Sequence, residues 1–339
     1  MGAVAVHASP HAPVMTDRVV DLLAVATHDT AGPSVLVDCT VGAAGHAAAL
    51  LAASRADTHL IAFDQDPDAL ELAERRLAAY AERLTLVHAS FDELVGHVGP
   101  VAAAIGPVLG ILYDLGVSSM QLDRPERGFS FRAEAPLDMR MNPATGRSAA
   151  DLCNTLSERE LADLIRRYGE ERYAQRIARA LVRARPVTTT TALAQIVEGA
   201  VPGPARRRTT HPATRTFQAL RIAVNDELSR FSASLPQALD VAAPLPGAGH
   251  RGGRVAVLAY HSLEDRVSKR VFADAARACV CPPDLPVCGC GREPAVTLLT
   301  RGAERPAATE IAANPRARSA RLRAVERTSA PYPPPSGGR

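Results

Sequence analysis

The residues with the most chemical promise follow two apolar runs. Val35-Leu-Val-Asp-Cys-Thr40 leads into Val41-Gly42-Ala43-Ala44-Gly45-His46, and Leu60-Ile-Ala-Phe-Asp64 ends on an acid 18 residues after His46. Two glycines let a backbone turn tightly and approach a ligand. A carboxylate ending the second run can accept hydrogen bonds from both ribose hydroxyls of a nucleoside. Dinucleotide enzymes place an acid similarly, so the glycine spacing has to separate the two cases. A dinucleotide site uses G-x-G-x-x-G to bring backbone onto a pyrophosphate, and only G-x-x-G is present here. S-adenosylmethionine has no phosphate, so a loop need only pass beside its amino-acid end. The spacing favours this methyl donor, and a structural turn with no ligand is the alternative.

Further candidates follow later apolar runs. Ser90-Phe91-Asp92 follows the run Leu84–Ala89, where Phe91 either covers an adenine ring or starts the next helix as a core residue. Asp114-Leu-Gly-Val-Ser-Ser119 ends a fourth run, where an acid could orient an attacking amine. His261-Ser262 follows a fifth; it could contact a base or the donor, or simply cap a turn. Asp138 and Asn142 are candidates for a pocket wall. Arg206, Arg207 and Arg208, with His211 and Arg215, form a basic cluster suited to phosphate contact, although single arginines are commonly solvated. Cys279, Cys281, Cys288 and Cys290 make two close pairs that suit a tetrahedral structural zinc, with C-x-C spacing tighter than the commoner C-x-x-C. Structural or redox-sensitive thiols are the alternative. Cys39 and Cys153 are scattered.

Regular alternation of elements must position these residues. Apolar strands separated by helices imply a parallel sheet covered on both faces, whose ligands bind outside the carboxyl ends of the strands. Pro67 fits the first turn of a helix reaching about Arg83. From Gln121 to about Pro212 helical patterning dominates, with a capping box at Ser157 and Glu160 and another short helix around 187–200. A helix then resumes near Thr214, with Phe217, Leu220, Val224, Leu228 and Phe231 on one face. The expected architecture is a doubly wound α/β domain over 1–120 and 214–330, a helical insertion over 121–213 and a disordered tail over 331–339.

Composition narrows the classes. With 339 residues, 47% hydrophobic and 22% charged, the chain can bury a sizeable core. No apolar run of about 18 residues occurs and the N-terminus does not read as a secretion signal, so a cytoplasmic protein is expected. A net charge of +3 excludes a polycation, and 4% aromatics with no Trp argue against a broad base-stacking platform. Reducing cytoplasm favours metal over disulfides for the cysteines. A dinucleotide oxidoreductase and an RNA-binding assembly factor without turnover are the competing classes.

Longer blocks are more specific. Asp114-Leu-Gly-Val-Ser-Ser-Met-Gln-Leu-Asp123, Arg127-Gly-Phe-Ser-Phe131, Pro136-Leu-Asp-Met-Arg-Met141, Tyr168-Gly-Glu-Glu-Arg172, His211-Pro-Ala-Thr-Arg-Thr-Phe-Gln218, His261-Ser-Leu-Glu-Asp-Arg266 and Asn314-Pro-Arg-Ala-Arg-Ser319 occur in this order. Over about Pro13 to Thr328 the chain resembles the RsmH (MraW) family of bacterial 16S ribosomal RNA cytosine-N4 methyltransferases. The resemblance implies a class I S-adenosylmethionine-dependent methyltransferase fold (Rossmann-like) with a helical substrate-recognition insertion. It implies methylation of N4 of cytidine 1402, in ribosomal numbering, within the small (30S) ribosomal subunit. It also implies a donor site at Ala44, Gly45, His46, Asp64, Phe91, Asp114 and Gln121, which would put Asp114 at the donor's amino-acid end; from their places after the fourth and fifth runs, Asp114 and His261 are the catalytic candidates. The family usually has Gly-Gly-His where this chain has Ala44-Gly45-His46, and alanine resists a positive φ.

Overall fold

A computed structural model describes residues 13–203, 211–244, 252–281 and 290–332. It divides into two units, Met1–Gly116 with Arg230–Arg339, and Val117–Ser229.

The first unit is built on a seven-stranded sheet. Its strands are β1 (Ser34–Asp38), β2 (Thr58–Asp64), β3 (Leu84–His88), β4 (Val108–Asp114), β5 (Arg254–Ala259), β6 (Val296–Leu298) and β7 (Arg321–Arg327). The order is β3-β2-β1-β4-β5-β7-β6; β7 runs antiparallel to both β5 and β6, and the other pairs are parallel. This is the class I methyltransferase arrangement, with the strand order reversing between β1 and β4.

Every residue of β1 and β5 is buried, as strands covered on both faces require. Alternate side chains feed two cores. Val35, Val37, Phe63, Ile111, Tyr113 and Val257 meet Leu94, Phe231, Leu235 and Phe272 from helices Leu94–Ile105, Glu227–Val241 and Ser262–Ala275. On the other face Leu36, Leu60, Leu112 and Leu258 meet Val19, Leu23, Leu50 and Leu51 from helices Thr16–His28 and Gly45–Ala53. Each such side chain contributes roughly 1.5–3 kcal/mol by leaving water, which fixes the register that lines up the strand ends.

Helices make up the second unit. Glu158–Gly169 starts on the expected box: Ser157 Oγ accepts from the Glu160 N–H while Glu160 accepts from the Ser157 N–H. Helix Thr190–Ala200 also lies where the sequence placed one.

The boundaries differ from the expected ones. Helix Thr214–Asn225 belongs to the second unit, where Phe217 and Leu220 share a core with Leu161 and Ile165 and Gln218 donates to the Tyr168 carbonyl. The single helix expected from Thr214 through Phe231 is interrupted at Asp226, whose φ of 50° is left-handed. The first unit therefore resumes at Arg230 rather than 214, and the second opens at Val117 rather than 121. The helix expected from Pro67 to Arg83 is α-helical only over Pro67–Arg76 and continues as a 3-10 turn over Ala78–Arg83. Residues 333–339 of the expected tail lie outside the described residues.

Candidate active site

Strands β2, β1 and β4 are neighbours, and each ends on an acid: Asp64, Asp38 and Asp114. Next to β4, β5 ends at Ala259 and is followed by Tyr260. Parallel register brings these ends to one edge of the sheet, where doubly wound folds bind ligands.

Asp114 lies at the centre. Its Oδ1 accepts the Tyr260 hydroxyl at 2.8 Å, and its Oδ2 lies 3.3 Å from His46 Nδ1. Its N–H donates to Thr40 Oγ1 at 2.8 Å, tying the end of β4 to that of β1. His46 Nε2 is 2.9 Å from the Val14 carbonyl oxygen. An imidazole with an acceptor at each nitrogen is best satisfied when both carry protons. Burial opposes that charge, but the hydrogen bond and charge of Asp114, with the charge of Asp38, outweigh it and raise the His46 pKa. Burial pushes Asp38 up to about 7, against the opposing pull of His46 and the Thr40 N–H. The Asp114 side chain keeps 26% of its surface open, so a ligand can reach it.

Glu264 positions Tyr260. Its buried carboxylate accepts the N–H of Tyr260 at 2.8 Å and of His261 at 3.2 Å, fixing the backbone from which the phenol reaches Asp114. His261 is the N-cap of helix Ser262–Ala275, and its Nε2 lies 3.0 Å from Glu264 Oε1. The capping alternative read from the sequence is therefore the geometry found.

Across the sheet edge, Asp64 Oδ2 accepts the Gly42 N–H and Oδ1 the Asp66 N–H, both at 2.9 Å. Burial raises its pKa to about 6, more than these N–H groups lower it. The loop between β1 and its helix carries two left-handed residues, Gly42 at φ 47° and Ala44 at φ 60°. Ala44 thus adopts the conformation its Cβ resists, at a cost of roughly 1–2 kcal/mol. Its N–H donates to the Val41 carbonyl and its methyl is buried, which holds it there. A Cβ on Gly45 would sit 2.7 Å from Pro13 Cγ, so a larger residue would displace the preceding chain.

The strand-end edge thus gathers three carboxylates, a phenol and a left-handed loop on one side of the first unit. The family model of the MraW methylases matches residues 8–328. The chain belongs to the MraW methylase family. It is 52% identical over 328 residues to the ribosomal RNA small subunit methyltransferase H of Mycolicibacterium paratuberculosis (strain ATCC BAA-968 / K-10), covering 95% of this chain and 83% of that one. It is 51% identical over 324 residues to the protein of that name in Mycobacterium tuberculosis (strain ATCC 25618 / H37Rv), covering 94% and 80%. Among solved structures, a SAM-dependent O-methyltransferase of Thermotoga maritima matches 92% of this chain and 64% of its own at 9% identity and a TM-score of 0.33, too weak a likeness to carry a conclusion.

As an MraW-family member the chain is a methyltransferase, and its other sequence-read residues can be placed against that activity. Phe91 packs edge-on against Tyr113, ring centroids 5.6 Å apart, while its carbonyl accepts from Ser234 Oγ; this is the core alternative. Gln121, in the second unit, forms a capping box with Ser118. Asp138 binds the Arg140 guanidinium through both oxygens, and Asn142 Oδ1 accepts from the Ala144 N–H. Arg215 donates to the Glu170 carbonyl, closing the end of helix Glu158–Gly169. His211 stacks on Phe131 with centroids 4.6 Å apart. Arg206, Arg207, Arg208 and Cys288 lie outside the described residues. Cys279, Cys281 and Cys290 come together, their sulfurs within 4.8 Å of one another.

Sequence reading passed over Tyr260, Glu264 and Thr40 as functional residues. A phenol just past the end of a strand was the available signal for Tyr260. It also passed over a cleft of about 340 Å³ on the first unit, lined by Tyr260, His261, Ser262, Arg305, Arg318 and Arg321 among others. Asp265 neutralises Arg321, whereas Arg305 and Arg318 have no carboxylate partner among the described residues.

Proposed function

We propose that the chain transfers a methyl group from S-adenosylmethionine to N4 of cytidine 1402 of 16S ribosomal RNA in the small ribosomal subunit, in the cytoplasm. The observation that carries the reading is the Asp114 carboxylate, held between His46 and Tyr260 at the strand-end edge and open on its remaining side. Family membership and the relatives' names support the RNA substrate. The Gly42–His46 loop and Asp64 fit the donor: two left-handed turns bring backbone to the strand ends, and the Asp64 carboxylate is held by the Gly42 and Asp66 N–H groups with no cationic partner among the described residues. S-adenosylmethionine supplies an electrophilic methyl group on sulfur.

What this chain adds is position and charge. The N4 lone pair of cytosine is delocalised into its ring, so the amine must be held with that lone pair directed at the methyl carbon. The Asp114 carboxylate accepts one N–H of the amine and offsets the positive charge that N4 acquires as its bond to carbon forms. Tyr260 and His46 fix the direction of that carboxylate. The proton released leaves through Asp114 to solvent. A base within folded RNA must unstack to reach such a group.

The test is transfer of labelled methyl to small subunits isolated without the modification, with mass mapping of the product nucleotide. N4-methylcytidine at that position is the expected result. Donor binding without transfer to any small-subunit RNA would overturn the substrate assignment.

Arg305 and Arg318, together with the amino end of helix Ser262–Ala275, make the cleft beside Tyr260 suited to RNA phosphate. The double variant Arg305→Ala/Arg318→Ala is expected to bind the RNA substrate about tenfold more weakly and to lower the log–log salt slope by roughly two. Donor affinity stays unchanged. An unaltered salt slope would remove these residues from the RNA surface.

A further inference from the structure

The connection from helix Ser262–Ala275 to β6 contains no regular element among its described residues, and Val280 is 49% exposed. Its two ends are clamped, by the Ala295 N–H on the Ala275 carbonyl at 2.9 Å and by Arg292 on Asp274. Three cysteines converge there. Cys279 and Cys290, 11 positions apart, bring their sulfurs to 3.8 Å, and Cys281 Sγ lies within 4.8 Å of both. None of the three is in a disulfide.

We propose that Cys279, Cys281 and Cys290 hold a structural zinc ion. A tetrahedral site with zinc–sulfur bonds of about 2.3 Å has sulfur–sulfur edges of about 3.8 Å, the separation of Cys279 and Cys290. The Cys281 N–H points at Cys279 Sγ from 3.4 Å, a hydrogen bond that stabilises a thiolate ligand. A metal bound by these thiolates would tie the two described ends of the connection together, because its binding free energy becomes folding free energy. Methyl transfer needs no metal, so the ion's work is structural: it ties the stretch after helix Ser262–Ala275 to the stretch before the edge strand β6. The inference stands apart from the reading of the active site.

The test uses the full chain purified under reducing conditions with zinc present and no chelating tag. Elemental analysis is expected to find about one zinc per chain after exhaustive dialysis. Replacing zinc with cobalt(II) should give the intense sulfur-to-cobalt charge-transfer and visible bands of a tetrahedral thiolate site. Cys279→Ser, Cys281→Ser and Cys290→Ser should each cut retained metal at least about tenfold, whereas Cys153→Ala, buried in the second unit, should retain it. Chelation should make the 276–294 segment sensitive to protease while donor binding persists. Metal-free protein that gives no cobalt bands, or cysteine variants that keep full zinc, would overturn the proposal.

Discussion

An Asp114→Asn protein is expected to bind S-adenosylmethionine but to transfer methyl about 10³-fold more slowly than the parent chain. The amide keeps the shape of the carboxylate and can still accept the Tyr260 hydroxyl through Oδ1. It loses the charge that faces His46 at 3.3 Å and that would balance positive charge at N4. The amide nitrogen would then face the Nδ1–H of His46, two donors opposed, and the imidazolium would lose its largest support. Tyr260→Phe is the graded control: it removes one hydrogen bond but leaves the charge, and about a tenfold loss is expected. Single-turnover rates at saturating donor, measured beside equilibrium donor binding, separate two roles for Asp114. A fall in rate alone assigns it to the acceptor amine. A fall confined to donor affinity would move it to the donor's amino-acid end, and a rate within about threefold of the parent would dismiss it from the chemistry.

What was legible in the sequence follows the range of each interaction. Strands β1, β2, β4 and β5 are apolar runs because both faces are buried, so local composition reveals them. The Ser157–Glu160 box is equally local. Strand β7 escaped because Arg321, Arg323 and Glu326 interrupt its apolar residues; those charges are matched by Asp265 and Arg254, far away in the chain. The break at Asp226 escaped because the apolar spacing continues through it while the backbone does not. Ala44 shows tertiary context overriding a residue's own preference, since its buried methyl and the Val41 carbonyl hold a left-handed turn. At the site, the acids ending β2 and β4 were readable because doubly wound sheets always place their strand ends together. Their partners were not. Tyr260 meets Asp114 across 146 positions, and only the register of β4 against β5 brings them together. The cleft arginines at 305 and 318 sit in segments with no periodic signal, where a charge in the sequence does not reveal whether it has a partner.

Asp64 should produce the other large effect, and it carries a sign that tests the ligand. Replacing it with asparagine is expected to weaken S-adenosylmethionine binding about 100-fold at pH 8, roughly 2.7 kcal/mol, as two charge-assisted hydrogen bonds to ribose hydroxyls are lost. In the parent chain, burial raises this carboxyl from 3.8 to about 6. Ribose hydroxyls donate best to the ionised form, so binding must expel any proton present. Donor affinity should therefore be level above about pH 7 and fall as pH drops through about 6, by up to tenfold per unit. Folding responds in the opposite sense. Between 3.8 and about 6 the native carboxyl holds more proton than the unfolded one, so its contribution to donor-free stability is present at low pH and is lost as pH rises through that window. Asparagine should remove the Asp64 part of both slopes, leaving in the donor-free stability profile the part that comes from Asp38, which burial raises to about 7. The variant also loses an acceptor for either the Gly42 or the Asp66 N–H, so its donor-free melting temperature must be measured beside its affinity. If affinity falls with the melting temperature unchanged, the carboxylate acts on the ligand directly. If the parent's donor affinity shows no change between pH 5 and 7.5, no proton is displaced from Asp64, and the ribose hydroxyls must bind elsewhere.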